Sequence, residues 1–336
     1  MKRDILSRKE NLVPIRIGFV GAGVIANHHF NTLSQLEEAQ PVAFCDPDKT
    51  RSEAAARRFE GRAYRDVRKM LEAETLDAVY VCLPPHAHKD AEILAAQKGC
   101  AVFVEKPVSN NLRTAERIAA AIEDAGVFSA VGYHFRYMEA TERLHKVLWT
   151  KNAPHVAMVQ GRWWGGFPNR VWWKKMEQSG GQIVEQGTHL IDLARYLMGD
   201  IVSVYARAAH REMHKSDAQI NVPDVSALTV EFQSGAIGTF QHACLLGKIE
   251  DVGLTLLARD IVYELQQNTL VTRSAEETHT FRHTNNAMLQ EDRVFLQAVS
   301  TGKRTLIKST YADAVHTLRV TLAANQSAKT GKAVRL

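Results

Sequence analysis

The chain has 336 residues, 45% of them apolar and 24% charged, with a net charge of +5 from 42 basic and 37 acidic side chains. That length supplies core for two domains of ordinary size, and the balance is that of a globular protein. The basic residues form no stripe, which argues against nucleic-acid binding, and no apolar run approaches a membrane span. Four dispersed cysteines (Cys45, Cys82, Cys100 and Cys244) make neither a disulfide framework nor a zinc site. The charged start, MKRDILSRKENLVP, lacks a signal-peptide core, so residues 1–14 are expected to be a loose tail and the compartment a reducing cytoplasm.

Ile15–Val20 reads as a short buried strand, followed by Gly21-Ala22-Gly23-Val24-Ile25-Ala26 and a helix through Phe30. In this G-x-G-x-x-A run the first glycine permits a tight turn. The second lets a pyrophosphate approach the backbone, and the small third residue lets helix pack on strand. The N–H groups at the helix start, around Val24 and Ile25, together with the positive end of its dipole, hold an anion. A second strand, Pro41–Cys45, ends in Asp46, whose carboxylate is placed to accept the ribose hydroxyls of an adenosine. Strand, glycine turn, helix, strand and acid, in that order, read as a dinucleotide site.

Helix-forming runs follow at Asp48–Phe59 and Asp66–Ala73. Leu76–Leu83 is apolar on both faces, as a covered parallel strand should be, and Pro84-Pro85 stops it. Ala87–Lys98 reads as a helix ended by Gly99, and Ala101–Val104 as a strand running into Glu105-Lys106-Pro107. Ser109 is a candidate cap for the helix Leu112–Ala125, with Gly126 after it and a strand at Val127–Val131. This alternation predicts an α/β Rossmann domain over residues 15–135, a doubly wound parallel sheet with ligands at the carboxyl ends of its strands.

From residue 136 the pattern changes. A helix over Arg136–Thr150 precedes strand-like runs at His155–Trp164, Val202–His210, Val225–Phe232, Ala236–Leu245, Gly253–Leu257, Ile261–Leu265 and Thr269–Arg273. Ser234-Gly235 reads as a hairpin turn. Helices at Thr188–Met198, Ala287–Ser300 and Tyr311–Ser327 complete a C-terminal α+β domain, residues 136–336, built on a large open, mostly antiparallel sheet. The last helix is a candidate to pack back on the first domain. One broad sheet face has few partners within the chain, which points to a homodimer or homotetramer.

Three places carry candidate chemistry. Lys106 lies past the end of a parallel strand, on the cofactor edge, where it can donate to a substrate oxygen. Lys106-Pro107 is also a candidate cis peptide. In Ser179–Leu197, paired glycines precede Glu185, His189 and Asp192 at i, i+4 and i+7, which predicts one shared helical face. His189 can take a carbinol proton, Glu185 can pair with Lys106 or orient substrate, and Asp192 can hold the imidazole from behind. Glu185 and His189 find no third ligand by spacing, so no metal is expected. In Gly161–Lys174, Trp163, Trp164, Trp172 and Trp173 offer faces for the C–H surface of a sugar or cyclitol, or for a subunit interface; Trp164 and Trp172 are taken as substrate contacts.

The run Gly21–Ala26, Glu105-Lys106-Pro107, and Gly180-Gly181 followed by Glu185-Gln186-Gly187-Thr188-His189 resemble the glucose–fructose oxidoreductase/inositol dehydrogenase (Gfo/Idh/MocA) family from Ile15 to the C-terminus. The resemblance implies a catalytic Lys106 and an acid/base His189, with Glu185 standing where the family usually has aspartate. It places Cys82, Leu83, Pro84, His86, His88 and Glu105 beside the cofactor. Within Gly132–Tyr137 it puts Arg136 near the nicotinamide, with His134 facing substrate. The resulting expectation is a hydride transfer between nicotinamide and a sugar, cyclitol or related polyol, with NAD preferred over NADP because Asp46 repels a 2′-phosphate. Two rivals are an NAD-dependent glycosidase working through transient oxidation, told apart by turnover without net NADH, and a non-catalytic dinucleotide and sugar sensor. The joint presence of Lys106 and His189 argues against the sensor.

Overall fold

The computed structural model describes residues 13–336, so most of the expected N-terminal tail lies outside the described residues. Six parallel strands, β1 (Ile15–Val20), β2 (Ala39–Cys45), β3 (Arg62–Tyr64), β4 (Ala78–Val81), β5 (Ala101–Val104) and β6 (Ser129–Val131), form a sheet in the order β3-β2-β1-β4-β5-β6. β4 and β5 are buried at every residue, as strands covered on both faces must be. The strand order reverses between β1 and β4, which opens a crevice at their carboxyl ends.

Local chemistry moved several predicted boundaries. Pro85 opens a single 3₁₀ turn, Pro85–Ala87, so the helix expected from Ala87 starts only at Ala91. Asn111, not Ser109, caps the next helix: its Oδ1 accepts the Thr114 N–H at 3.0 Å, while Ser109 Oγ accepts the Asn111 N–H at 3.1 Å. The helix expected over Arg136–Thr150 is a 3₁₀ turn, His134–Tyr137, followed by a helix over Glu139–Leu148.

The second sheet has nine strands: β7 (Val156–Trp164), β8 (Ile201–Ala209), β9 (Val225–Phe232), β10 (Ile237–Ala243), β11 (Asp251–Ala258), β12 (Ile261–Gln266), β13 (Thr269–Arg273), β14 (Thr278–Arg282) and β15 (Val334–Arg335). Their order is β14-β13-β12-β11-β7-β10-β9-β8-β15, and only β7 and β10 pair in parallel. Val159, Phe240, Leu254 and Leu256 line the face that packs on the helix Thr188–Met198, which is buried at all residues except Tyr196 and Met198. The opposite face leaves Met158, Val202, Tyr205 and Ile237 exposed.

The terminal helix, Tyr311–Thr330, touches both sheets' surroundings. Tyr311 Oη donates to the Val108 carbonyl at 3.2 Å, and Arg319 pairs with Glu116 at 2.9 Å. On the other side, Arg195 donates to Thr317 Oγ1 at 2.8 Å and Asn325 donates to the Gly180 carbonyl at 2.8 Å. No helix among the described residues is long and apolar enough to cross a membrane.

The tightest backbone requirement lies at Gly21. Its φ is +91°, and a Cβ there would run into the Cys82 carbonyl. Gly21→Ala is therefore expected to cost at least about 1–3 kcal/mol of stability from backbone strain, and to displace the turn. Urea unfolding with a lowered midpoint, together with lost binding of a dinucleotide in calorimetry, checks this; unchanged binding contradicts it.

Candidate active site

The glycine turn joins β1 to the helix Val24–Leu33. Gly21 N–H donates to the Cys45 carbonyl at 2.8 Å, and Cys82 N–H donates to the Val20 carbonyl at 2.8 Å, which ties the ends of β1, β2 and β4 together. A Cβ at Gly23 would meet nothing within 4 Å, so this backbone is open on the side a pyrophosphate needs. Gly23 offers no capping side chain, and the first-turn N–H groups therefore stay available for an anion. Asp46 accepts the Ala22 N–H at 2.8 Å and the Asp48 N–H at 2.9 Å, which fixes its carboxylate beside the turn. Next to it a cavity of about 260 Å³ is lined by Ala22, Asp48, Thr50, Arg51 and Arg58. These features fit a dinucleotide.

Lys106 and Glu185 meet where the two halves of the chain touch. Lys106 Nζ lies 3.1 Å from Glu185 Oε1 and donates to the Glu185 carbonyl at 2.9 Å. The longer glutamate side chain thus reaches the lysine. Trp173 Nε1 donates to the other carboxylate oxygen at 2.7 Å. Burial pushes the Glu185 carboxyl up, but the Lys106 charge and the Trp173 N–H outweigh it and hold the group below the usual carboxylate range. The Lys106-Pro107 peptide is cis.

His189 is only 4% exposed and its Nδ1 has no hydrogen-bond partner. Its ring is walled by aromatic neighbours: Trp163 is stacked at 5.7 Å between centroids, Phe135 lies at 4.9 Å and His134 at 5.0 Å. Burial, then the charges of Lys106 and His134, push its pKa well below the ordinary 6.5. Burial also takes His134 down to about 4, against the pull of Glu105.

Several sequence expectations need correction. Glu185, His189 and Asp192 do not share one helix: Glu185 ends the short helix Gly181–Glu185, and a break at Gln186-Gly187 precedes the helix Thr188–Met198. A Cβ at Gly187 would lie 2.6 Å from His242 Nε2, so the break seats the helix tightly on the sheet. Asp192 does not hold His189. Its carboxylate instead receives Arg136 at 2.7 and 2.6 Å and Thr317 at 3.0 Å. Arg136, 3% exposed, instead pairs with Asp192 and Asp313 and donates to the Lys308 carbonyl. His88 is also interior, held by Glu92 at 2.5 Å and the Leu83 carbonyl at 3.2 Å, so it shapes the loop from beneath. Glu105 turns inward to His29 at 3.0 Å and accepts the Lys106 N–H at 3.0 Å. Leu83, Pro84 and His86 remain partly exposed on the crevice loop, and Cys82 meets the glycine turn through its backbone.

The tryptophans divide differently from expectation. Trp163 and Trp173 reach His189 and Glu185, whereas Trp172 packs with Phe167, Met176 and Met213 against a small satellite core. Trp164 lines a cavity of about 520 Å³ with Arg207, Arg211, Gln241 and His242 at the end of the open sheet. Strand alternation carried this signal, since Val159, Gly161 and Trp163 share one face of β7 and Trp164 points to the other.

Two family models cover most of the chain. The oxidoreductase family with NAD-binding Rossmann fold matches residues 15–133, and the GFO/IDH/MocA C-terminal domain matches residues 144–252. D-apiose dehydrogenase of Paraburkholderia graminis is 30% identical over 64% of this chain and 57% of its own length. The NAD⁺-dependent scyllo-inositol 2-dehydrogenase of Bacillus subtilis is 27% identical over 96% of both chains. An oxidoreductase from Agrobacterium radiobacter, solved with NAD⁺, L-tartaric acid and magnesium, superposes with a TM-score of 0.85 over 96% of this chain and 98% of that one, at 18% identity. Sequence motifs, two-sheet architecture and matched domains agree: the chain belongs to the Gfo/Idh/MocA family of oxidoreductases and carries that family's NAD-binding Rossmann domain.

Proposed function

We propose that this protein is an NAD(P)-dependent dehydrogenase of sugars, cyclitols or related polyols. The single observation that supports this most is the Lys106–Glu185 contact at 3.1 Å, together with a buried His189 whose Nδ1 has no hydrogen-bond partner. When bound, the nicotinamide supplies the hydride acceptor. The Gly21–Ala26 turn and Asp46 hold the dinucleotide, and Leu83, Pro84 and His86 border it. His189 accepts the hydroxyl proton: its depressed pKa keeps the imidazole neutral at pH 7, ready to act as base. Lys106 donates to the carbinol oxygen and stabilises the alkoxide charge that develops there. Glu185, itself anchored by Trp173, keeps the ammonium aimed. The Trp163 ring fixes the His189 plane, and His134 borders the substrate. The open sheet face bearing Met158, Val202, Tyr205 and Ile237 is an apolar surface suited to self-association.

A panel of inositols, aldoses and sugar acids with NAD, followed by reduced-nicotinamide absorbance, is expected to give turnover with at least one cyclic polyol. Lys106→Met is expected to lower kcat by about 10²–10⁴-fold while leaving dinucleotide affinity nearly unchanged. Wild-type turnover in that variant contradicts the assignment.

The sign of the pH dependence follows from His189. Oxidation needs the neutral ring, and the folded pKa lies well below 6.5, so activity holds down through pH 7 and is lost only at lower pH. The acid limb of log kcat/KM is therefore expected below pH 6.5; a limb centred above 7 argues against His189 as the base.

NAD is the preferred cofactor in this reading, because a 2′-phosphate would sit against the Asp46 carboxylate. Of the nearby cations, Arg51 pairs with Asp48 at 3.3 Å and Lys49 with Glu53 at 3.5 Å. Steady-state kinetics should give the higher kcat/KM with NAD, and a higher value with NADP overturns the preference.

A further inference from the structure

Beneath the crevice lies a polar cluster that the reaction outlined above does not use. His29, on the helix that starts at the glycine turn, is 0% exposed. Its Nδ1 lies 2.9 Å from Asp292 Oδ1, on the helix Ala287–Thr301, and its Nε2 lies 3.0 Å from Glu105 Oε1, at the end of β5. Asp292 also accepts the hydroxyls of Thr32 and, at 3.2 Å, Tyr80. Asp292 and Glu105 are likewise buried.

A carboxylate only accepts hydrogen bonds, and a neutral imidazole has a single N–H. If both acids are ionised, both ring nitrogens must donate to them. Phe103 and Tyr80 pack edge-on around the ring, at 5.0 and 5.2 Å between centroids, so it cannot turn away from either partner without displacing them. Glu291 is 1% exposed and neither of its oxygens has a partner. Burial, with Glu105 and Asp292 beside it, pushes its pKa well up.

We propose that His29 is a permanent imidazolium that positions Lys106. It holds Glu105 by one oxygen, and the other oxygen of Glu105 accepts the Lys106 N–H at 3.0 Å. Through Asp292 the same ring is fastened to a helix more than 260 positions along the chain. The backbone that carries the ammonium is thereby locked to the helix that starts at the dinucleotide turn. Gly132 belongs to this arrangement, since a Cβ there would lie 2.6 Å from Glu105 Oε1 and evict the carboxylate. His29 touches neither substrate nor reacting atoms, so it is a positioning residue, and the positioning role rests on the reading of Lys106 given above.

Two measurements test this. Neutron diffraction from a deuterium-exchanged crystal of the intact protein at pD 8 is expected to show deuterium on both His29 nitrogens. A bare nitrogen, or a metal ion in the place of one deuteron, overturns the proposal whether or not any variant folds. His29→Gln and Asp292→Asn, tested on the polyol that the wild type oxidises, are expected to lower kcat by about ten- to hundredfold with KM for NAD and polyol within about threefold. A general folding defect would instead weaken dinucleotide binding along with kcat. A folded His29→Gln protein with wild-type kcat overturns the positioning role. If Lys106→Met also retains activity, the reading of Lys106 has failed instead, and the neutron result on His29 stands apart from it.

Discussion

The whole arrangement turns on one ion pair, Lys106 with Glu185, made between the end of a parallel strand and a short helix of the second half. Both side chains are mostly buried, 14% and 16% exposed, so neither charge is well hydrated alone. Removing one partner of such a pair strands the other, at a cost of about 3–5 kcal/mol when burial is complete. The geometry is set from both ends. Trp173 anchors the carboxylate, and the Glu105 side chain takes the backbone N–H of the lysine. Attraction between the partners therefore ties the end of β5 to the second half of the chain and fixes the position of the ammonium.

A second charge network stiffens the ground on which His189 stands. Arg136 and Arg195 reach Asp192, Asp200 and Asp313, with the Arg136–Asp192 contact deeply buried and made through two guanidinium nitrogens. These pairs connect the 3₁₀ turn at His134–Tyr137, the helix Thr188–Met198 and the terminal helix. Each element comes from a different part of the chain, so the imidazole is carried by a frame that local structure alone could not make rigid. Aromatic packing by Trp163 and Phe135 then excludes water from around the ring. Exclusion of water is what depresses the His189 pKa and gives the neighbouring ammonium its leverage.

Much of this was legible in the amino-acid sequence, for reasons that differ by residue. Gly21, Gly23 and Asp46 act through backbone conformation and position at a strand end, which a local pattern records. β4 and β5 announced themselves by apolar runs, and the second sheet by alternation. The Lys106–Glu185 pair lay within reach of the motifs, but the partners of the other buried charges did not. Arg136 and Asp192 lie 56 residues apart and find each other only after the fold brings their elements together. The helix break at Gly187 depends on His242, a residue on a strand of the other layer. His29 gave no signal at all, because its two carboxylates come from positions 105 and 292. The two-residue period of β7 separates Trp163, which stacks on His189, from Trp164 on the other face.

The central claim is that ammonium and imidazole act on one oxygen. A crystal structure of the complex with NAD and a cyclic polyol that the enzyme oxidises tests it most directly. The account predicts a single carbinol oxygen within about 3 Å of both Lys106 Nζ and a ring nitrogen of His189. A polyol whose reacting oxygen contacts neither group, or reaches them through two different hydroxyls, would contradict it.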